Sequence, residues 1–310
     1  MKRWNLNEIK GVIPALVTPF NEDESLSEEK VRHLVDYLID VGVNGFYLTG
    51  STGEGFLMDT WERQKVVEIA IDQVKDRLPV IVHVGAISTK TTVELARHAY
   101  ECGASAISSV PPFYYRFSFD EIYDYYKDIS DAVPLPLIIY NIAATTGVDM
   151  GVNAIIRLEE IDNVKGIKFT STNHYELQRI REKLGSGFVI YSGTDEMALS
   201  GILMGADGVI GSSYNCMPEV FMNILKAIEE NDINKARGYQ TIANDIIEIF
   251  GRYNYHVSLK QAMQWLGVDC GRNRRPFKSL KAEEVEALRT DLSRLKNKIG
   301  SYTIKILEVI

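Results

Sequence analysis

Short runs rich in Val, Ile, Tyr and Phe alternate with amphipathic stretches eight times between residues 12 and 229. The pattern predicts strands at residues 12–18, 45–48, 80–84, 105–110, 137–140, 164–170, 188–191 and 207–210. Between the first two, Val31, Leu34, Val35, Leu38 and Ile39 recur at the three- and four-residue intervals of one helix face. Ser27 stands at the N-cap of that helix and Gly42 closes it. Strand–helix alternation of this kind requires parallel strands joined by right-handed crossovers. Eight repeats favour a closed (β/α)8 barrel of the TIM type over a doubly wound open sheet, and neither a Gly-rich dinucleotide fingerprint nor a phosphate-binding P-loop supports the second.

The repeats predict a barrel over residues 1–230. Beyond it the sequence reads as helical, with Ile242, Ile246, Ile249 and Phe250 on one stripe and a further helix near 283–295. These helices are expected to pack on the barrel as a C-terminal subdomain over 231–299. Residues 300–310 follow Gly300-Ser301 and look unlike the rest; they read as an appended tail, with an added strand as the alternative.

The net charge of -8 and the lack of a long basic block argue against nucleic acid as a partner. No apolar run approaches the ~20 residues of a membrane span, so no membrane partner is expected. The apolar stretch 12–17, behind Lys2 and Arg3, is short and broken by Pro14, so no signal peptide is expected. Cys102, Cys216 and Cys270 are far apart and match no metal spacing. Free thiols fit a cytoplasmic location, and no metal is expected.

In such a barrel the C-terminal strand ends meet at one mouth, where catalytic groups collect. Lys168 interrupts the apolar strand Val164 to Phe169. Burial disfavours the charged form of a lysine, and a neutral amine can condense with a ketone to a Schiff base. Its alternative is a strand-end lysine that snorkels to water and stays charged. Gly50-Ser51-Thr52-Gly53-Glu54 follows the second strand and offers consecutive backbone N–H groups beside a helix start, a site for a carboxylate; a plain capped turn is the alternative. Tyr140 ends the fifth strand, either as a core aromatic or as a phenol that moves protons beside Lys168. Asp195 and Glu196 follow the seventh strand and Ser212 the eighth. The two carboxylates read as helix-start charges or as acceptors for hydroxyl groups. His83 lies in an apolar strand and reads as a hydrogen-bonded core or rim histidine.

With these residues in place, residues 10–298 resemble the pyruvate-dependent class I aldolases of the dihydrodipicolinate synthase/N-acetylneuraminate lyase family. The resemblance rests on Gly50-Ser51-Thr52-Gly53-Glu54, Tyr140-Asn141, Gly166-Ile167-Lys168-Phe169-Thr170, and Gly205-Ala206-Asp207-Gly208 leading to Gly211-Ser212. It implies a (β/α)8 barrel assembled as a homotetramer that needs no cofactor. It also implies that Lys168 forms the Schiff base with pyruvate, that Ser51 and Thr52 hold the pyruvate carboxylate, and that Tyr140 shuttles protons. Tyr114, within Pro112-Phe113-Tyr114-Tyr115, matches a tyrosine lent by a neighbouring subunit.

Within the family, the synthase branch carries an arginine after the strand-five tyrosine to bind a second carboxylate. Thr145 stands there in this chain and cannot offer charged, bidentate recognition. Phe113-Tyr114-Tyr115, Gly193-Thr194-Asp195-Glu196 and Gly211-Ser212-Ser213-Tyr214-Asn215 are similar to the lyase branch. There, residues matching Thr170, Gly193, Asp195, Glu196 and Ser212 hold the hydroxylated chain of the sugar acid. The expected reaction is cleavage of N-acetylneuraminate to N-acetylmannosamine and pyruvate. Ala143 and Thr145, where the family usually has proline and lyases have leucine, keep open a 2-keto-3-deoxy sugar acid aldolase or dehydratase, or a divergent dihydrodipicolinate synthase. The segment at Tyr255 and His256 is also unlike the family and could reach the far end of a sugar. A barrel that binds a 2-oxo acid without turnover is the reading from another functional class.

Overall fold

The computed structural model describes residues 4–310; Lys2 and Arg3, weighed above as part of an N-terminal signal, lie outside the described residues. Eight parallel strands form one sheet: β1 (Gly11–Pro14), β2 (Phe46–Leu48), β3 (Val80–His83), β4 (Ala106–Ser109), β5 (Leu137–Asn141), β6 (Val164–Phe169), β7 (Val189–Ser192) and β8 (Gly208–Gly211). Each strand pairs with its sequence neighbour, and β1 returns to pair with β8. Between β1 and β2 the ring closes through a single bridge, Ala15 to Tyr47, with Leu16 N–H donating to the Tyr47 carbonyl at 2.9 Å. This is the (β/α)8 barrel expected from the alternation.

The first strand is shorter than residues 12–18. Beyond Pro14 the chain leaves the ladder: Val17 N–H donates to the Asn215 side chain, and the Thr18 hydroxyl to the Gly53 carbonyl. The outer layer comprises α1 (Glu28–Val41), α2 (Thr60–Val74), α3 (Thr89–Cys102), α4 (Phe119–Ala132), a single turn α5 (Ala143–Thr146), α6 (Val152–Glu159), α7 (His174–Leu184), α8 (Ala198–Leu203) and α9 (Pro218–Glu229). Ser27 does sit at the N-cap of α1, but its hydroxyl makes no capping bond. The stretch after β5, read as loop, contains α5, closed by Gly147 in the left-handed conformation.

The period-two alternation sorts side chains to the two faces of each strand. Ile13, Tyr47, Ile81, Ile138, Tyr140, Val189, Tyr191 and Ile210 pack together inside the barrel. Val12, Leu48, Val82, Ile107, Ile139, Ile167, Phe169 and Val209 face the helices. Because Ile167 and Phe169 point outward, Lys168 between them points inward. The register sets it level with Tyr140 on β5 and Tyr191 on β7.

The C-terminal subdomain consists of α10 (Ile233–Arg252), α11 (Tyr255–Trp265), α12 (Ala282–Lys296) and a final turn α13 (Lys305–Glu308). The closing segment, expected as an appended tail, is docked on the rest of the chain. Ile304, Ile306 and Leu307 are fully buried in the main core, Lys305 N–H donates to Glu219 at 2.9 Å, and the Tyr302 ring packs edge-on against Tyr239. The three apolar side chains, spaced as one helical turn, carry this docking. Among the described residues no helix is long and apolar enough to cross a membrane.

Candidate active site

Lys168 is 4% exposed. Its Nζ lies 3.9 Å from the Tyr140 ring centroid and 4.8 Å from that of Tyr47. Among the described residues it has no carboxylate within ion-pair distance. Burial without a counter-ion is costly for an ammonium, and two aromatic faces offset only part of that cost. The two rings stand edge-to-face with centroids 5.9 Å apart, and His83 packs against both. His83 is 1% exposed; its Nδ1 is 3.1 Å from the Thr49 carbonyl, and Nε2 accepts from Val110 N–H at 3.4 Å. Burial holds its pKa well below the usual imidazole range. Of the core and rim positions the sequence allowed, it takes the core one, as a neutral imidazole held in one tautomer by its two partners.

A cavity of about 490 Å³ lies at the ends of strands β5 to β8, and Gly193 on its lining stands next to Lys168. Thr170, Gly193, Asp195, Glu196 and Ser212 line it, so the fold brings five of the expected substrate-binding residues to one wall. Gly193 is required by close approach: a Cβ there would overlap Thr170 Oγ1 and sit 3.2 Å from Lys168 Cε. Thr170 Oγ1 is buried without a hydrogen-bond partner, a group primed to accept one from a ligand. Asp195 is fully enclosed, and Glu196 beside it is exposed. The Asp195 carboxylate accepts from Ser213 N–H at 2.8 Å and from the Ser213 hydroxyl at 2.5 Å. Burial nevertheless raises its pKa to about 6 from a reference of 3.8, the two Ser213 bonds opposing the shift.

The turn after β2 completes the site. Thr52 Oγ1 is 2.6 Å from Ser212 Oγ, so the second and eighth strand ends meet. Thr49 and Glu54, at φ 54° and 57°, bracket the turn in the left-handed region that non-glycine residues avoid. Ser51 faces an adjoining, mostly apolar cavity of about 350 Å³ with Phe56, Phe113, Thr145 and Phe277. Tyr114 lies outside both cavities: it is 81% exposed and packs edge-on against Tyr115. A larger groove of about 720 Å³ between α3 and α4 holds none of the residues singled out in the sequence.

Several contributors were not read from sequence. Tyr47, a polar aromatic facing inward within a buried strand, gives Lys168 its second aromatic face. Its inward register was the available signal. Ser213 holds Asp195. Tyr255, whose segment was expected to reach the far end of a ligand, does line the cavity, from the start of α11.

The structure thus combines an inward lysine at the end of strand six, a strained turn after strand two and a polar cavity wall at strands six to eight. The sequence profile of the dihydrodipicolinate synthetase family matches residues 8–295. The chain belongs to this family. Within it, the chain is 37% identical over 295 residues to an N-acetylneuraminate lyase of Citrobacter koseri, covering 94% of this chain and 99% of that protein. It is 36% identical over 282 residues to the N-acetylneuraminate lyase of Rhizobium meliloti, covering 91% and 94%. Among solved structures, the N-acetylneuraminate lyase of Fusobacterium nucleatum superposes with a TM-score of 0.87 at 36% identity, covering 94% of this chain and 99% of that one. The sialic acid aldolase of Ruminococcus gnavus does so with a TM-score of 0.89 at 31% identity, covering 94% and 99%.

Proposed function

We propose that the chain is an N-acetylneuraminate lyase working through a Schiff base on Lys168. The observation that carries this reading is a buried amine against the Tyr140 ring, with no ion-pair partner among the described residues and with Gly193, on the lining of a polar cavity, beside it. The lyase relatives at 36–37% identity support the same substrate class.

Lys168 Nζ attacks the C2 ketone of the open-chain sugar acid, and water leaves to give an iminium. Ser51 and Thr52 hold the C1 carboxylate, with the amides of the turn as further donors. Tyr140 relays the C4 hydroxyl proton: its phenolic oxygen accepts that proton as its own passes to the substrate carboxylate. The C3–C4 bond then breaks, its electron pair passing into the iminium to give an enamine and the aldehyde N-acetylmannosamine. Protonation at C3 and hydrolysis release pyruvate and free Lys168. The iminium is the electron sink, so the steps draw on no cofactor. Thr170, Gly193, Asp195, Glu196 and Ser212 receive the hydroxylated chain.

The enzyme acts as a cytoplasmic homotetramer, in which Tyr114 of each subunit reaches a neighbour's site; its exposure in a single chain is consistent with this role. A second reading, a 2-keto-3-deoxy sugar acid aldolase or dehydratase, draws on Ala143 and Thr145, which line the two cavities. Among the described residues no arginine lines either cavity, which speaks against a substrate with a second carboxylate, as a synthase requires. Pyruvate release from N-acetylneuraminate, coupled to lactate dehydrogenase, tests the proposal. Release is the expected result. Borohydride trapping of pyruvate without release moves the substrate to another 2-keto-3-deoxy acid.

A further inference from the structure

We propose that Glu54 and Lys260 form a positioning pair through which the C-terminal subdomain holds the carboxylate-binding turn in shape for its ligand. The proposal rests on the Schiff-base reading of the site above.

Lys260 lies on α11 and Glu54 ends the Gly50–Gly53 turn, 206 positions apart in sequence. Both side chains are almost wholly enclosed, at 2% and 1% exposure, with Nζ and Oε1 2.9 Å apart. Every donor and acceptor around them is used. Glu54 also accepts from Asn273 Nδ2 at 2.9 Å and from Arg274 N–H at 2.7 Å. Lys260 donates to the Thr18 carbonyl at 2.7 Å and to the Arg272 carbonyl at 2.8 Å. Thr18 in turn donates its hydroxyl to the Gly53 carbonyl at 2.6 Å. Lys260 therefore grips the turn twice, through the Glu54 carboxylate and through Thr18 on Gly53.

The turn needs such a grip. Glu54 holds a left-handed conformation unfavourable for its residue type, and a Cβ on Gly55 would overlap the Thr49 carbonyl oxygen. Within the turn the backbone bonds run from Glu54 N–H to the Ser51 carbonyl and from Gly55 N–H to the Gly50 carbonyl. Among the described residues the Ser51 and Thr52 amides have no such acceptor, so they remain for a ligand carboxylate. An anchored Glu54 thus fixes where these amides point. The other side of the site is held in a similar way: Gln240 on α10 donates to the Asp195 carbonyl at 3.0 Å.

The test is borohydride trapping of two ketones on the full-length protein: pyruvate, and hydroxyacetone, which has no carboxylate. The variant is Glu54→Gln with Lys260→Met, which removes both charges and leaves neither orphaned. Its half-saturating pyruvate concentration should rise about tenfold or more, the effect of weakening donors to a charged group. Trapping at saturating pyruvate and trapping of hydroxyacetone should match the wild type. Asn273→Ala, which removes one donor to the Glu54 carboxylate and spares the ion pair, should shift pyruvate alone by about threefold, a smaller effect because the anchor is weakened rather than removed. It carries the test if the double variant does not fold. Unchanged pyruvate dependence in a folded variant overturns the proposal. So does an equal loss with both ketones, which marks a general disturbance of the barrel. A wild type that traps neither ketone overturns the Schiff-base reading itself.

Discussion

Two lysines are buried among the described residues, Lys168 inside the barrel and Lys260 on α11, and they are built in opposite ways. Lys260 is enclosed with a carboxylate, two carbonyls and every hydrogen bond satisfied. Lys168 is enclosed between the faces of Tyr140 and Tyr47 and has no ion-pair partner among the described residues. Two of the buried carboxylates, Glu54 and Asp195, show the same division: Glu54 sits against Lys260, whereas Asp195 accepts from Ser213 and has no cation partner among the described residues. Burial alone therefore does not mark function. Lys260 and Glu54 satisfy each other within the fold, whereas the environments of Lys168 and Asp195 leave room for an incoming group, which is the basis of the proposed site.

The largest expected contrast is between replacements of the two lysines. Lys168→Met should lower turnover by at least ~10³-fold by removing the nucleophile, with the melting temperature unchanged or raised. Lys260→Ala should instead destabilise the fold by about 3–5 kcal/mol, because Glu54 is left as an orphaned buried charge. Denaturant titration alongside pyruvate-release kinetics separates the two. A Lys168 variant that unfolds while a Lys260 variant stays stable breaks the comparison.

Asp195 sharpens it through pH. An unfolded aspartate ionises near 3.8, while the buried one keeps its proton to about 6. Between those values the folded state binds the extra proton, so stability is highest below about pH 4, falls as pH rises through this window, and is level above about 6. The span corresponds to about 3 kcal/mol. Asp195→Asn should remove that slope, as measured by unfolding free energy at a series of pH values. Gly193→Ala is the next step down: pushing Thr170 Oγ1 away by about an ångström or more and Lys168 Cε by a fraction of one should reduce kcat/KM by ~10²-fold without global unfolding. Thr145→Leu should be mildest. Thr145 is exposed at the rim of the apolar cavity, and a change of a few-fold in KM for N-acetylneuraminate is expected from a small gain in apolar burial.

The comparison also explains what the sequence could reveal. The barrel was legible because hydrophobic periodicity is local and repeated eight times. Lys168 was legible because a charge inside an apolar strand is conspicuous, and Asp195 because it follows a strand end. The Glu54–Lys260 pair was not: its members belong to a turn and a distant helix, and only the fold brings them together. Lys260 stands among Val257, Leu259, Ala262 and Met263, where a helical lysine ordinarily reads as snorkelling to water. The docking of residues 304–307 was missed for a related reason. Their apolar stripe is too short to be told from an appended tail until the groove it fills is known.

The most direct test of the account is borohydride reduction in the presence of pyruvate, followed by peptide mapping of the modified lysine. The account predicts a single adduct on Lys168, with Lys260 unmodified in the folded protein. An adduct on Lys260, or none on Lys168, would contradict it.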